Sequence, residues 1–149
     1  MPVDVPIDVE CLSLAEESWR EACAERWVQS VHAGRDVGPE AIQYWAVRHW
    51  PGFIRHRCLQ HMLGEKFWLE LGRKQFGILR DTPPEARPIL EAILERLICG
   101  EENLGLVRWL CKQPPEHQPV IRYLLCRIDI NSYRKPCHFA SWNLSNQAS

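Results

Sequence analysis

Residues Gly38 to Gly64 read GPEAIQYWAVRHWPGFIRHRCLQHMLG, and the spacing of apolar residues in this stretch decides the fold class. Ile42, Trp45, Ala46, Trp50 and Phe53, with His49 in the same row, recur at intervals of three and four. That is the period of a helix burying one stripe. Beyond Pro51 the row moves to Ile54, Cys58, Leu59, Met62 and Leu63. Proline lacks an N–H and its ring collides with the preceding helical turn, so a change of face there predicts a kinked central helix or two abutting helices. Pro39 suits a first turn and Gly64 closes the unit.

The same period extends on both sides. Ser13-Leu-Ala-Glu16 has capping-box spacing and predicts a helix from Leu14 to His32 that buries Ala15, Trp19, Ala22, Cys23, Trp27 and Val31, with Gly34 ending it. Ahead of it, Pro2 and Pro6 make residues 1–10 an extended lead-in. After Gly64, Phe67, Trp68, Leu71, Phe76 and Leu79 predict a helix over Glu65–Leu79, weakened by Gly72 and Gly77. Thr82-Pro-Pro-Glu85 combines a capping residue with prolines in a first turn and opens the most regular stripe: Ala86, Ile89, Leu90, Ile93, Leu94, Leu97 and Ile98, ending at Gly100. A shorter helix over Glu101–Cys111 should bury Leu104, Val107 and Leu110. Pro114 and Pro115 break it, and a last helix over Glu116–Ile128 should bury Val120, Ile121, Leu124 and Leu125. From Asn131 the period is lost, so residues 131–149 read as an irregular tail that is either disordered or docked through Phe139 and Trp142. No strand alternation and no internal repeat is present. The expectation is an all-α, single-domain bundle of six or seven helices with a Pro-kinked central helix, its helical domain spanning residues 11–130.

A chain of 149 residues with 46% hydrophobic and 25% charged residues can bury one core. Eighteen basic residues against 19 acidic ones give a net charge of −1, so no global attraction draws the chain to nucleic acid or an anionic membrane. The start, MPVDVPIDVE, lacks the basic and apolar regions of a secretory signal. No apolar run approaches the length of a membrane span. The expectation is therefore a cytoplasmic protein with no nucleic-acid and no membrane partner. Seven cysteines, an odd number with no CxxC pair, read as reduced and mostly buried in apolar rows.

Chemistry concentrates in the opening stretch. His49 and His56 lie seven apart, nearly two turns, with Phe53 between them. Arg48, His49, Arg55, His56 and Arg57 could receive a phosphate or carboxylate, or could be the solvated flank of a kinked helix paired with Glu40, Glu65 or Asp81. His61 and Glu65 are four apart, but the chain has no Glu-x-x-His, no HExxH and no Cys/His set at zinc spacing, so no metal site is expected. The candidate binding residues are Trp45, Arg48, His49, Trp50, Phe53 and His56; no motif identifies a catalytic group or a cofactor.

Trp27-Val28-Gln29-Ser30-Val31-His32-Ala33-Gly34, followed by Pro39-Glu40-Ala41-Ile42-Gln43-Tyr44-Trp45-Ala46-Val47-Arg48-His49-Trp50, resembles the opening of the heme-oxygenase-like helical fold. The similarity is to its TenA (thiaminase II) and pyrroloquinoline-quinone synthase group. The resemblance implies a pocket between helices; Ala33 stands where TenA-type enzymes usually carry an acidic residue, so it does not imply their full set of active residues.

Three classes of function follow as expectations. The first is a binding module whose Trp/His/Arg-lined pocket takes a small planar or anionic molecule. The second is an adaptor or assembly protein, such as a secretion-system component or an enzyme's partner, that uses a Trp-rich helical surface; a homodimer is among the arrangements the sequence allows. The third is a metal-dependent redox enzyme, which would need His49, His56, His61 and Glu65 to converge.

Overall fold

Proline placement sets the helix starts. Three helices carry a proline in the first turn, Pro51, Pro88 and Pro119, where the missing N–H has no intrahelical partner to lose. The computed structural model describes residues 9–128, Cys137 and Phe139. Most of the lead-in expected over 1–10, and all of the 131–149 tail except Cys137 and Phe139, lie outside the described residues. Within them the chain folds as an all-α bundle of six helices: α1 (Leu14–Ala33), α2 (Glu40–Arg48), α3 (Trp50–Met62), α4 (Arg87–Ile98), α5 (Asn103–Cys111) and α6 (Gln118–Arg127). Two short strands, β1 (Cys11–Leu12) and β2 (Phe67–Trp68), pair in parallel with Cys11 opposite Phe67 and Leu12 opposite Trp68.

α3 is the axis of the bundle, packing against α1, α2, α4 and β2. It is separated from α2 by His49 alone, at φ −105° and ψ −23°. The register survives the break: His49 N–H donates to Trp45 O at 2.8 Å and Phe53 N–H to His49 O at 3.0 Å. Ile42, Trp45, Ala46, Trp50 and Phe53 are buried as their spacing predicts, and so are Ile54, Cys58, Leu59 and Met62 after the change of face. Leu90, Ile93 and Leu97 of α4, Leu106 and Leu110 of α5, and Ile121 and Leu124 of α6 complete this core. α1 and α4 both end in Schellman turns. In α1, Gly34 takes φ 70° and its N–H reaches Val31 O while Arg35 N–H reaches Ser30 O.

Four expectations about the helices are corrected. The helix expected over Glu65–Leu79 is instead β2, a 3-10 turn at Leu69–Leu71 and a series of turns. Its apolar residues Phe67, Trp68, Phe76 and Leu79 are buried all the same. The reason is competition for backbone bonds: this segment satisfies the carbonyls that α3 leaves open at its C-terminal end. Glu65 N–H donates to Gln60 O, Gly77 N–H to His61 O and Leu79 N–H to Met62 O, at 2.9, 2.9 and 3.0 Å. Gly72 and Gly77, with φ near 73° and 71°, make the reversals that a helix would forbid.

α1 turns a different face inward. Leu14, Ser18 and Ala22 are buried, whereas Trp27 and Val31, expected in the core, are 69% and 59% exposed. α5 is likewise rotated: Leu106 and Leu110 are buried and Leu104 and Val107 exposed. Finally, Thr82 does not cap the helix after it; its hydroxyl donates back to Leu79 O at 2.8 Å, and a 3-10 turn at Pro84–Ala86 leads into α4.

The cysteines are all free, as expected, but only Cys58 and Cys137 are buried. Cys11 in β1, Cys99 just past the end of α4, Cys111 at the end of α5 and Cys126 in α6 are exposed.

Candidate functional site

The α2–α3 junction gathers aromatic rings because the one-residue break keeps Trp45, Trp50 and Phe53 on one side. Trp45 meets Trp50 edge-on at 6.4 Å and Phe53 at 5.5 Å, and Trp50 stacks on Phe53 at 5.5 Å. Phe139, fully buried, stacks on Trp45 at 5.9 Å and meets Trp19 edge-on at 5.4 Å. The last described residue thus returns to the α1–α2–α3 seam.

Outside this cluster a shallow groove of about 350 Å³ runs between α1 and the junction, lined by Glu21, Trp45, His49, Gly52, Phe53 and Arg57. A second hollow of about 260 Å³ shares Glu21, Trp45 and His49 and extends along α1 to Ala24, Glu25 and Val28. The Arg57 guanidinium lies 4.4 Å over the Phe53 ring, with its charge answered by Glu21 at 3.6 Å. It also donates to His56 Nδ1 at 2.9 Å. Partial burial, and then the Arg57 and Lys66 charges, push the His56 imidazolium down in pKa, with Glu65 acting in the opposite sense.

The candidate binding residues are therefore divided. Trp45, His49 and Phe53 line the groove together, and Trp50 lies stacked against Phe53. Arg48 and His56 are exposed and are not among the groove residues. Arg55 is directed elsewhere, donating to Leu97 O at 3.0 Å and pairing with Glu102 at 3.3 Å. The solvated-flank pairing with Glu40, Glu65 or Asp81 is replaced by these contacts to Glu21 and Glu102.

His61 is fully buried between Phe67 and Phe76, with ring centroids at 5.0 and 5.3 Å. Its Nδ1 accepts the Trp68 backbone N–H at 3.1 Å, which requires that nitrogen to be unprotonated. Nε2 therefore carries the hydrogen and donates to Gly72 O at 2.7 Å. With both nitrogens taken by backbone, the ring pins the 65–80 segment to α3. Among the described residues no group of three or more His, Cys, Asp and Glu is arranged to hold a metal.

Sequence reasoning missed the outer face of α1. Ala24, Trp27, Val28 and Val31 are spaced as an apolar helix stripe, and all four are exposed. On α2, Tyr44 and Val47 are 47% and 70% exposed, and the Tyr44 ring meets His49 at 5.9 Å. Val28 and His49 share a hollow, so the two exposed faces are continuous through His49. The signal was present in the sequence, since Leu14, Ser18 and Ala22 form a second row on the opposite side of α1, and one helix cannot bury both against the same neighbours.

No helix among the described residues is long and apolar enough to cross a membrane. The chain matches no protein-family model, no curated protein and no solved structure.

Proposed function

We propose that this chain is a protein-interaction module, an adaptor or assembly protein, whose working surface is the outer face of α1 and α2. The observation that carries this reading is Trp27: a tryptophan 69% exposed, flanked on the same stripe by Val28 and Val31. Contiguous apolar surface is costly in water and marks binding sites when it persists in a folded chain. Tryptophan is also among the residues that contribute most when an interface closes over them. Tyr44 and Val47 widen the surface across a second helix, while Glu21, Glu25 and Arg48 supply a polar rim.

The test is site-specific photo-crosslinking. A photoreactive residue replacing Val31, in the full chain expressed in cells, should give a discrete adduct that Trp27→Glu removes. The same residue replacing Glu91, on the exposed side of α4, should give none. If the Val31 position yields no adduct, or one indifferent to Trp27→Glu, the interaction reading fails.

A small-ligand role is the second reading, favoured by Arg57 and His49 standing beside the aromatic wall of the groove. Arg57 is already partnered by Glu21, which weighs against an anion as the occupant. A mass excess in native mass spectrometry that His49→Ala abolishes would support it.

A further inference from the structure

We infer that the surface of α1 binds a second copy of this chain, α1 packing antiparallel on its partner's α1 about a two-fold axis beside Trp27 and Val28. This rests on the interaction reading above and names the partner. The stripe is self-complementary. When one copy is reversed about a point between residues 27 and 28, Trp27 faces Val28 of the partner subunit, and Ala24 faces Val31 of the partner subunit. Every apolar position then meets an apolar position, as an isologous contact requires.

Charge chooses the antiparallel direction. The first half of α1 carries Glu16, Glu17 and Glu21 with only Arg20 among them, whereas the second half balances Glu25 with Arg26, carries His32 in its last turn and is followed by Arg35 and Asp36. Glu17 and Arg20 already pair with each other at 2.9 Å, and Arg26 is held by Asp36. Arg35 falls opposite Arg20 of the partner subunit in this register, so the charge pair proposed across the interface is Arg35 with Glu16 of the partner subunit, one helical turn further along. Reversal sets the acidic half of each helix beside the charge-balanced half of the other, keeping the two acidic halves apart, and opposes the two helix dipoles favourably. A parallel arrangement would align like charges. Exposed aromatic side chains contribute on the order of 100 Å² each. Together Trp27, Val28, Val31, Tyr44 and Val47 therefore offer a few hundred Å² of apolar surface, the scale of the centre of an interface that buries roughly 800 Å² per partner.

Sedimentation velocity on the full chain, over concentrations from about 1 to about 100 µM, the range in which such modest interfaces form, should show a monomer–dimer equilibrium. Trp27→Glu, and independently Val31→Glu, should weaken it at least tenfold while leaving the circular dichroism spectrum unchanged, both positions being exposed. Arg35→Glu should weaken it a few-fold, and adding Glu16→Arg to the same chain should restore it. A monomer at every concentration, or a dimer that both stripe variants leave intact, overturns the proposal. The photo-crosslink at Val31 separates the two readings: an adduct to a different protein with a monomeric chain ends the homodimer and keeps the interaction surface, whereas no adduct ends both.

Discussion

A buried histidine and a half-exposed glutamate illustrate how single side chains hold distant segments here. His61 supplies one acceptor and one donor to the backbone of the 65–80 segment, and its ring fills the space between Phe67 and Phe76. His61→Ala leaves a cavity, and leaves the buried Trp68 N–H and the partly buried Gly72 carbonyl without their partner; it should cost about 3 kcal/mol in chemical denaturation. Glu70 does the corresponding work at the start of α1. Its carboxylate accepts from Leu14 N–H at 2.7 Å, Ala15 N–H at 3.0 Å and the Ser13 hydroxyl at 2.8 Å. Ser13 does accept from Glu16 N–H, at 3.3 Å, as its capping spacing predicts, but the carboxylate that completes the cap comes from Glu70, far along the chain. Burial raises the Glu70 pKa, yet the bonds from Ala15, Leu14 and Ser13 outweigh it and the net shift is downward. A carboxyl with a lowered folded pKa stabilises above its unfolded value, and the contribution is lost as pH falls through the folded one. Glu70→Gln should therefore cost about 1 kcal/mol near neutral pH. Its deficit against the parent protein should shrink as both are titrated to acid, a trend that urea denaturation at several pH values would record.

At the scale of elements, two glycines of the α3 unit give opposite outcomes. Gly52 sits in the first turn of α3, and a Cβ there meets no atom within 4 Å. Gly52→Ala should raise stability by about 0.5 kcal/mol through helix propensity. Gly64, at φ 74°, closes α3, and a Cβ there would come 2.1 Å from Arg80 Nε, whose guanidinium donates to Gly64 O at 2.7 Å. Gly64→Ala should cost about 2 kcal/mol, combining the left-handed backbone with displacement of Arg80. Thermal melts of the two variants beside the parent decide both. The α3 C-terminus also shows why an element's type was harder to read than its burial. Phe67, Trp68, Phe76 and Leu79 had helix-compatible spacing, but the turn from Glu65 back to Gln60 and the longer-range bonds from Gly77 to His61 and Leu79 to Met62 took the backbone groups a local helix would have used.

For the molecule as a whole, Phe139 ties the end of the described chain to its beginning by packing on Trp19 and Trp45. Phe139→Ala should cost about 3 kcal/mol by emptying the aromatic seam, and intrinsic tryptophan fluorescence should shift to the red as Trp45 meets water. An unchanged spectrum and an unchanged melt would remove Phe139 from the core.

The sequence by itself determined the helical class, the position of the α2–α3 break and most of the central row from Ile42 to Met62, because three-and-four spacing, proline geometry and terminal glycines act within a few residues. It also placed Trp45, His49 and Phe53 close together, since they recur every four residues along the chain. Tertiary structure decided which of two rows on α1 faces inward, and so turned Trp27 and Val31 from expected core into exposed surface. It decided as well that His61 is a pin and that Glu70 caps α1. The physical reason is common to these cases: competing local arrangements differ by about a kcal/mol or less per residue. Contacts brought from distant parts of the chain, which no local pattern encodes, settle the choice.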